Sequence, residues 1–347
     1  MIQDPDLAKH LTVKEFSHFT DHHLQSSPEY DPILKQSLFF SNGEIWKKKR
    51  SMITPSQTSS KVRLMFDSIN DICHQVVDFL KAESIETNPK AYEIGDLFAR
   101  SLIDILGACV FGIKVDSFKE SNNTYYKNAK EISCLASLGF NVRMIGGLEA
   151  TTSVINFLAY ELEKNPLIQE KLFEEIQTFR EEIKEEKLCY ETLMKMKYLD
   201  MVVSEGLRKW PSFAYHDRIC TKDYTMEYET GKTYTFHKGD VIWIPFVDYH
   251  RNPKYFLHPE NFDPERFSPG NQASIKSSAY LPFGMGPRSC LGERFTLIKV
   301  KALIYHLVAN FNFELSNKTE DPPVLKASFV GLKTRSGIWI KFRPRVH

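Results

Sequence analysis

The chain has 347 residues, enough to bury a large core. Its 45 Lys plus Arg stand against 44 Asp plus Glu, a balance that argues against nucleic acid or an acidic ligand as the main partner. Hydrophobic residues make up 42% and charged residues 26%, ordinary for a globular chain. The opening Met1-Ile2-Gln3-Asp4-Pro5 has no basic and apolar leader, and no long apolar run follows, so neither a signal peptide nor a membrane span is expected.

The early part reads as helix. Asn42-Gly43-Glu44 forms a start signal ahead of Ile45-Trp46. Apolar residues at Val62, Met65, Phe66, Ile69, Ile72, Val76 and Phe79 predict a helix from about Ser59 to Leu80. The stretch 99–111 is apolar on several faces and reads as a buried helix. A helix from Leu148 to Lys164 should stop at Asn165-Pro166, and Pro166 can open the next, running to about Glu182. The period over 198–210 is helical and ends before Pro211.

The character then changes. Residues 233–236 and 241–244 are β-rich, with Lys238-Gly239-Asp240 as a turn between them. Residues 250–270 read as ordered coil, 291–308 as helix, and 324–342 as strands joined by a turn. The fold class expected is mainly α with a small β region, and 1–347 is read as one domain. Of the six cysteines, Cys73, Cys109, Cys134, Cys189 and Cys220 read as buried or half-buried fillers, with no disulfide framework or zinc spacing.

Cys290 differs because of its neighbours, Phe283-Gly284-Met285-Gly286-Pro287-Arg288-Ser289-Cys290-Leu291-Gly292. Gly284 and Gly286 allow sharp turns and close approach to a flat ligand. Arg288 brings a positive charge near the thiol, and the start of the next helix offers free N–H groups, both favouring a thiolate. A thiolate held this way suits a metal, haem iron included. Phe283 is expected to cover the sulfur. A thiol-nucleophile enzyme is the competing chemistry, but no histidine is close to Cys290 in sequence.

The spacing Phe-x-x-Gly-x-Arg-x-Cys-x-Gly resembles the cytochrome P-450 family of haem-thiolate monooxygenases at every motif position, and the resemblance runs over most of the chain. It is closest to insect microsomal members that oxidise foreign compounds. The resemblance implies haem b with Cys290 as axial ligand, O2 and a small apolar substrate, no nucleic acid, and electrons from NADPH-cytochrome P-450 reductase. It also implies association with the cytosolic face of the endoplasmic reticulum membrane. Trp46, Arg50, Arg218 and Arg288 then correspond to haem-propionate donors, chemically apt because indole N–H and guanidinium only donate. Glu205, Arg208 and Arg266 correspond to the family's structural Glu–Arg–Arg cluster. Phe213, Ala214, Tyr215 and His216 fall where the family lines its substrate pocket, and Lys47, Lys48 and Lys49 offer a basic face to an electron donor.

The chain departs from this pattern in three places. Glu149 matches the acid of the oxygen-activation segment, but Ala150 stands where the family places a threonine that helps deliver protons. Thr151 is about 100° further around the helix and substitutes only if the helix bulges there. Loss of that hydroxyl favours release of peroxide or superoxide. The start of the chain corresponds to a point beyond the anchor and first strands of relatives, and residues 118–146 leave too little room for the roof helices and the front of the oxygen-binding helix. An incomplete or aberrantly spliced product is therefore expected, one that folds poorly or binds haem weakly because lost helices strand apolar faces. The competing reading is a non-catalytic or uncoupled haem binder.

Overall fold

The computed structural model describes residues 1–23, 37–83, 89–120, 123–136, 145–184, 187–228, 231–326 and 332–345. Part of the shortened junction, at 121–122 and 137–144, lies outside the described residues, as does the Cys134 side chain. The described chain is mainly helical, with small antiparallel sheets, and divides into two compact units.

The first unit comprises Met1–Thr58, Phe213–Asn261 and Gly270–Glu293. Its first helix, Pro5–Lys9, is capped by the Asp4 carboxylate, which accepts from the Asp6 N–H, and has Pro at its first position. Helix Gly43–Ile53 begins where the Asn42-Gly43-Glu44 signal places it. Residues 233–236 and 241–244 are in strands, but these do not pair with each other. Lys232–Phe236 pairs with Tyr224–Tyr228, and Val241–Ile244 pairs with His216–Ile219. The His216–Ile219 strand escaped the sequence reading because Asp217-Arg218 looks like a solvated pair. Both are nonetheless buried, at 2% exposure each. Leu7, Leu11, Phe19, Cys220, Met226 and Ile242 form one apolar cluster beneath these strands, and Ile244, Phe246, Tyr249 and Leu281 belong to another.

The second unit comprises Ser59–Ser212, Phe262–Pro269 and Arg294–His347. The helix expected over 59–80 is two helices, Ser59–Leu64 and Phe66–Glu83. Helix Ile94–Leu106 starts earlier than expected because the Glu93 carboxylate caps it, accepting from the N–H groups of Gly95 and Asp96. It closes in a wider turn, Gly107–Phe111, whose Val110 and Phe111 are exposed, so burial does not extend through 111 as expected. Helices Ile145–Lys164 and Pro166–Glu182 meet at Asn165-Pro166 as the sequence predicts.

Helix Ile145–Lys164 packs against Ile94–Leu106 and against Lys197–Lys209. Gly206 permits the second contact, since a Cβ there would lie 2.3 Å from a Leu158 methyl carbon. Ile155, Leu158 and Leu162 are fully buried, each contributing about 1.5–3 kcal/mol. The last helix, Glu293–Asn310, starts two residues later than expected and is buried on nearly all sides. It leads into Phe311–Leu315, which joins Ala91–Glu93 across the shared partner Trp339–Pro344 in a three-stranded antiparallel sheet. The 324–342 stretch thus contains one short pair, Leu325–Lys326 with Lys333–Thr334, and one strand paired elsewhere. Cys73 and Cys220 are buried and Cys109 half-buried, but Cys189 is exposed, not a filler.

Candidate functional site

The glycine-rich loop lies in the first unit. Gly284 and Gly286 have φ of +75° and +70°, a region that disfavours any side chain. At Gly286 there is also no space, because a Cβ would come within 2.4 Å of the Thr12 carbonyl oxygen. These turns bring the Cys290 N–H to the Phe283 carbonyl at 2.8 Å, closing the loop. Gly292 has open space where a Cβ would stand.

Cys290 is exposed and Phe283 is half-buried. What Phe283 contributes is the carbonyl that receives the cysteine N–H. The following helix starts at Glu293, three residues on, so Cys290 is not in its first turn. Nor is Arg288 the charge beside the thiol. Its guanidinium turns away, donating to the carbonyls of Thr20 at 2.9 Å and Ser41 at 3.0 Å, and it stacks on the Trp46 ring at 4.1 Å. The cation facing the loop is Arg50, which donates to the Ser289 carbonyl at 2.9 Å and interacts with Cys290.

Trp46 and Arg50, four apart on helix Gly43–Ile53, thus both serve the loop, one packing Arg288 and the other binding Ser289. Arg218 comes from strand His216–Ile219. It is 2% exposed and donates to the Asp217 carbonyl at 2.7 Å, while its Nε has no hydrogen-bond partner. Burial pushes the Arg218 guanidinium down to about 10. Burial and the charge of Arg218 push Arg288 down to about 9.

Sequence reasoning missed the groups that hold this strand. His22 Nδ1 meets the Asp217 carboxylate at 3.1 Å, both side chains are buried, and the His23 N–H also donates to that carboxylate. Burial raises the Asp217 carboxyl, but the His22 and His23 hydrogen bonds and the Arg218 charge outweigh it and hold the group at about 2. His22 gives no local signal, being nearly two hundred residues from its partner. Of the residues expected at a substrate pocket, Ala214 and Tyr215 are exposed, and Tyr215 packs edge-on against Trp243 at 4.9 Å. Phe213 and His216 meet edge-on at 5.7 Å.

The second unit holds the other predicted residues. Arg208 donates to both Glu205 carboxylate oxygens, at 2.6 and 2.8 Å, and both side chains are fully buried. Arg266 Nε lies 3.3 Å from Glu205 Oε1, which also receives the Asp263 N–H at 2.9 Å. The cluster ties coil 262–269 to helix Lys197–Lys209. Glu149 is paired with Lys333 at 2.7 Å. Thr151 is buried and spends its hydroxyl on the Gly147 carbonyl at 2.5 Å, whereas Ala150 is half-buried and its carbonyl accepts from Ser212. On helix Gly43–Ile53, Lys47 pairs with Glu44 at 2.6 Å and Lys49 donates to Ser41.

The sequence profile of the family described as Cytochrome P450 matches residues 1–142 and 140–342. The chain belongs to the cytochrome P450 family. The Drosophila melanogaster protein named Probable cytochrome P450 9f2 is 32% identical, covering 99% of this chain and 84% of its own length. Cytochrome P450 9e2 of Blattella germanica is 29% identical over 100% and 84%, and cytochrome P450 3A18 of Rattus norvegicus is 29% identical over 92% and 79%. The first of these alignments runs over 435 positions, more than the chain's length, so the relative carries internal residues that this P450 lacks. The break in the profile match at 140–142 falls within the shortened junction.

As a P450, the chain is a haem-dependent monooxygenase that uses O2 and electrons from a redox partner, with haem b held by a cysteine thiolate. The first unit's donors fit such a group. Three arginines lie in mutual electrostatic reach with two carboxylates, Asp21 and Asp217, and the buried Arg218 Nε has no acceptor. A doubly anionic porphyrin edge supplies both the missing acceptors and the missing charge. Among the described residues, no helix is long and apolar enough to cross a membrane.

Proposed function

We propose that Cys290 is the axial thiolate of a P450 that inserts one oxygen atom into a small apolar organic substrate. Electrons come from NADPH-cytochrome P-450 reductase at the cytosolic face of the endoplasmic reticulum membrane, and residues 1–347 act as one domain. The observation that carries this reading is the closed 283–292 loop, which presents an exposed cysteine thiol in electrostatic reach of Arg50.

When bound, the haem supplies oxygen activation, helped by electron donation from the thiolate sulfur. The chain's own residues hold and orient it. Arg50 and Arg218 reach the carboxylates, while Trp46 packs Arg288, whose bonds to the Thr20 and Ser41 carbonyls fix the loop from beneath. Phe213 and His216 border the substrate side. Glu205, Arg208 and Arg266 hold coil 262–269 in place and do not react.

Proton delivery is the weak step, and it favours a second reading. Ala150 has no hydroxyl, the Thr151 hydroxyl is committed to Gly147, and Glu149 is committed to Lys333. A haem-binding chain that consumes NADPH with little product fits these residues. Reconstitution with reductase and a probe substrate separates the two, with product formed compared against NADPH consumed. Ala150→Thr should raise that ratio. No change in the ratio would remove the missing hydroxyl as the cause, and absence of a thiolate-type Soret band in the ferrous carbon monoxide complex would remove the Cys290 assignment.

A further inference from the structure

We propose that His216 is a further haem-carboxylate ligand, donating through Nδ1 to the same porphyrin edge as Arg218; this rests on the Cys290 reading above. The sequence marks His216 only as a polar residue near a substrate pocket. Its surroundings add a second role.

The ring is held by Phe246 at 4.8 Å, Phe213 at 5.7 Å and His22 at 5.9 Å. Within this setting its Nδ1 is buried and has no hydrogen-bond partner. Buried ring nitrogens without partners are rare enough to need a cause. The ring edge that carries Cε1 and Nδ1 lies against the cysteine loop, 3.6 and 3.7 Å from where a Cβ on Gly284 would stand. On a strand, residues two apart share a face, so His216 and Arg218 point the same way. Two polar atoms without partners, Nδ1 of His216 and Nε of Arg218, therefore lie on one strand face beside one loop.

The chemistry of the partner follows. Arg218 repels a cation and favours an anion. Burial, then the charges of Arg218 and His22, push the imidazole down to about 3, so it is neutral at physiological pH. A neutral imidazole has one N–H. An anionic acceptor at Nδ1 selects the tautomer that carries it there. A carboxylate satisfies Nδ1 and Arg218 Nε together, whereas an apolar substrate satisfies neither.

The test uses the full chain with two probes, hemin and hemin dimethyl ester, which lacks the carboxylates. The affinity ratio of hemin to ester is measured for wild type, His216→Phe, His216→Asn and His216→Gln. Taking the ratio within each variant cancels damage that weakens both probes alike. Asn places an amide N–H at the Nδ1 position, and Gln places it near Nε2. Phe and Gln should lower the ratio by about tenfold and Asn by less than about threefold. An unchanged ratio in Gln or Phe overturns the proposal, as does Asn falling as far as Gln. Failure of the Cys290 reading looks different, because wild type itself then lacks the thiolate-type Soret band.

Discussion

Two clusters of buried charge, one in each unit, are built on opposite terms. Around Glu205 the account closes: both carboxylate oxygens are engaged, by Arg208, Arg266 and the Asp263 N–H, at 2.6–3.3 Å. Around Arg218 it stays open, with three arginines, two carboxylates and a guanidinium Nε that has no acceptor. A closed cluster stabilises the polypeptide without help. An open one is costly to the bare chain and gains when an anion arrives. The difference sets a self-sufficient cluster apart from one that an anion would complete.

The largest effect tests the loop at the centre of the open cluster. Cys290→Ala should abolish the thiolate-type spectrum of the hemin complex while leaving far-ultraviolet circular dichroism unchanged. Persistence of that spectrum would move the ligand to another residue. Next, the two arginines should respond with different magnitudes. Arg208→Leu leaves the buried Glu205 with too little compensation and should cost about 3–5 kcal/mol, read from the shift in urea midpoint. Arg218→Leu removes an under-compensated charge, so the haem-free chain should lose less than about 1 kcal/mol while hemin affinity falls about tenfold or more. Equal destabilisation by the two changes would erase the distinction between the clusters. Smaller again is Gly206→Ala, which forces Leu158 or its helix to move and should cost about 1–3 kcal/mol with no change in hemin affinity.

Much of this was legible in the sequence, and the exceptions share a cause. The 145–182 helix pair was readable because Asn165-Pro166 punctuates it locally. Trp46 with Arg50, and Glu205 with Arg208, were readable because helical spacing puts each pair on one face. Strand His216–Ile219 was not, because two charged residues hide a buried strand and the group that makes burial tolerable, His22, is remote in sequence. The direction of Arg288 was also misjudged. Proximity in sequence suggested the thiol, but the carbonyls of Thr20 and Ser41 and the face of Trp46 offer it a better site. Arg50 takes the position beside the loop instead.

Acid titration gives the finest comparison, between His216 in the first unit and His306 in the second. His216 in the first and His306 in the second are both held at about 3, mainly by burial, and His306 Nε2 contacts Asn70 Oδ1 at 2.7 Å. Their folded values lie below the unfolded value of about 6.5. As pH falls below that value, the unfolded chain takes up protons first, so stability drops from about pH 6.5 towards pH 3. The slope is at most about 1.4 kcal/mol per pH unit for each histidine. Asp217, held at about 2, adds a separate loss, present only as pH falls from about 3.9 through 2. Urea midpoints of the haem-free chain between pH 7.5 and pH 4.5 should therefore decline, and His306→Gln or His216→Asn should each flatten the decline in part, since burial also lowers His22 and His74. A decline untouched by both substitutions would mean that neither ring is held neutral by its fold.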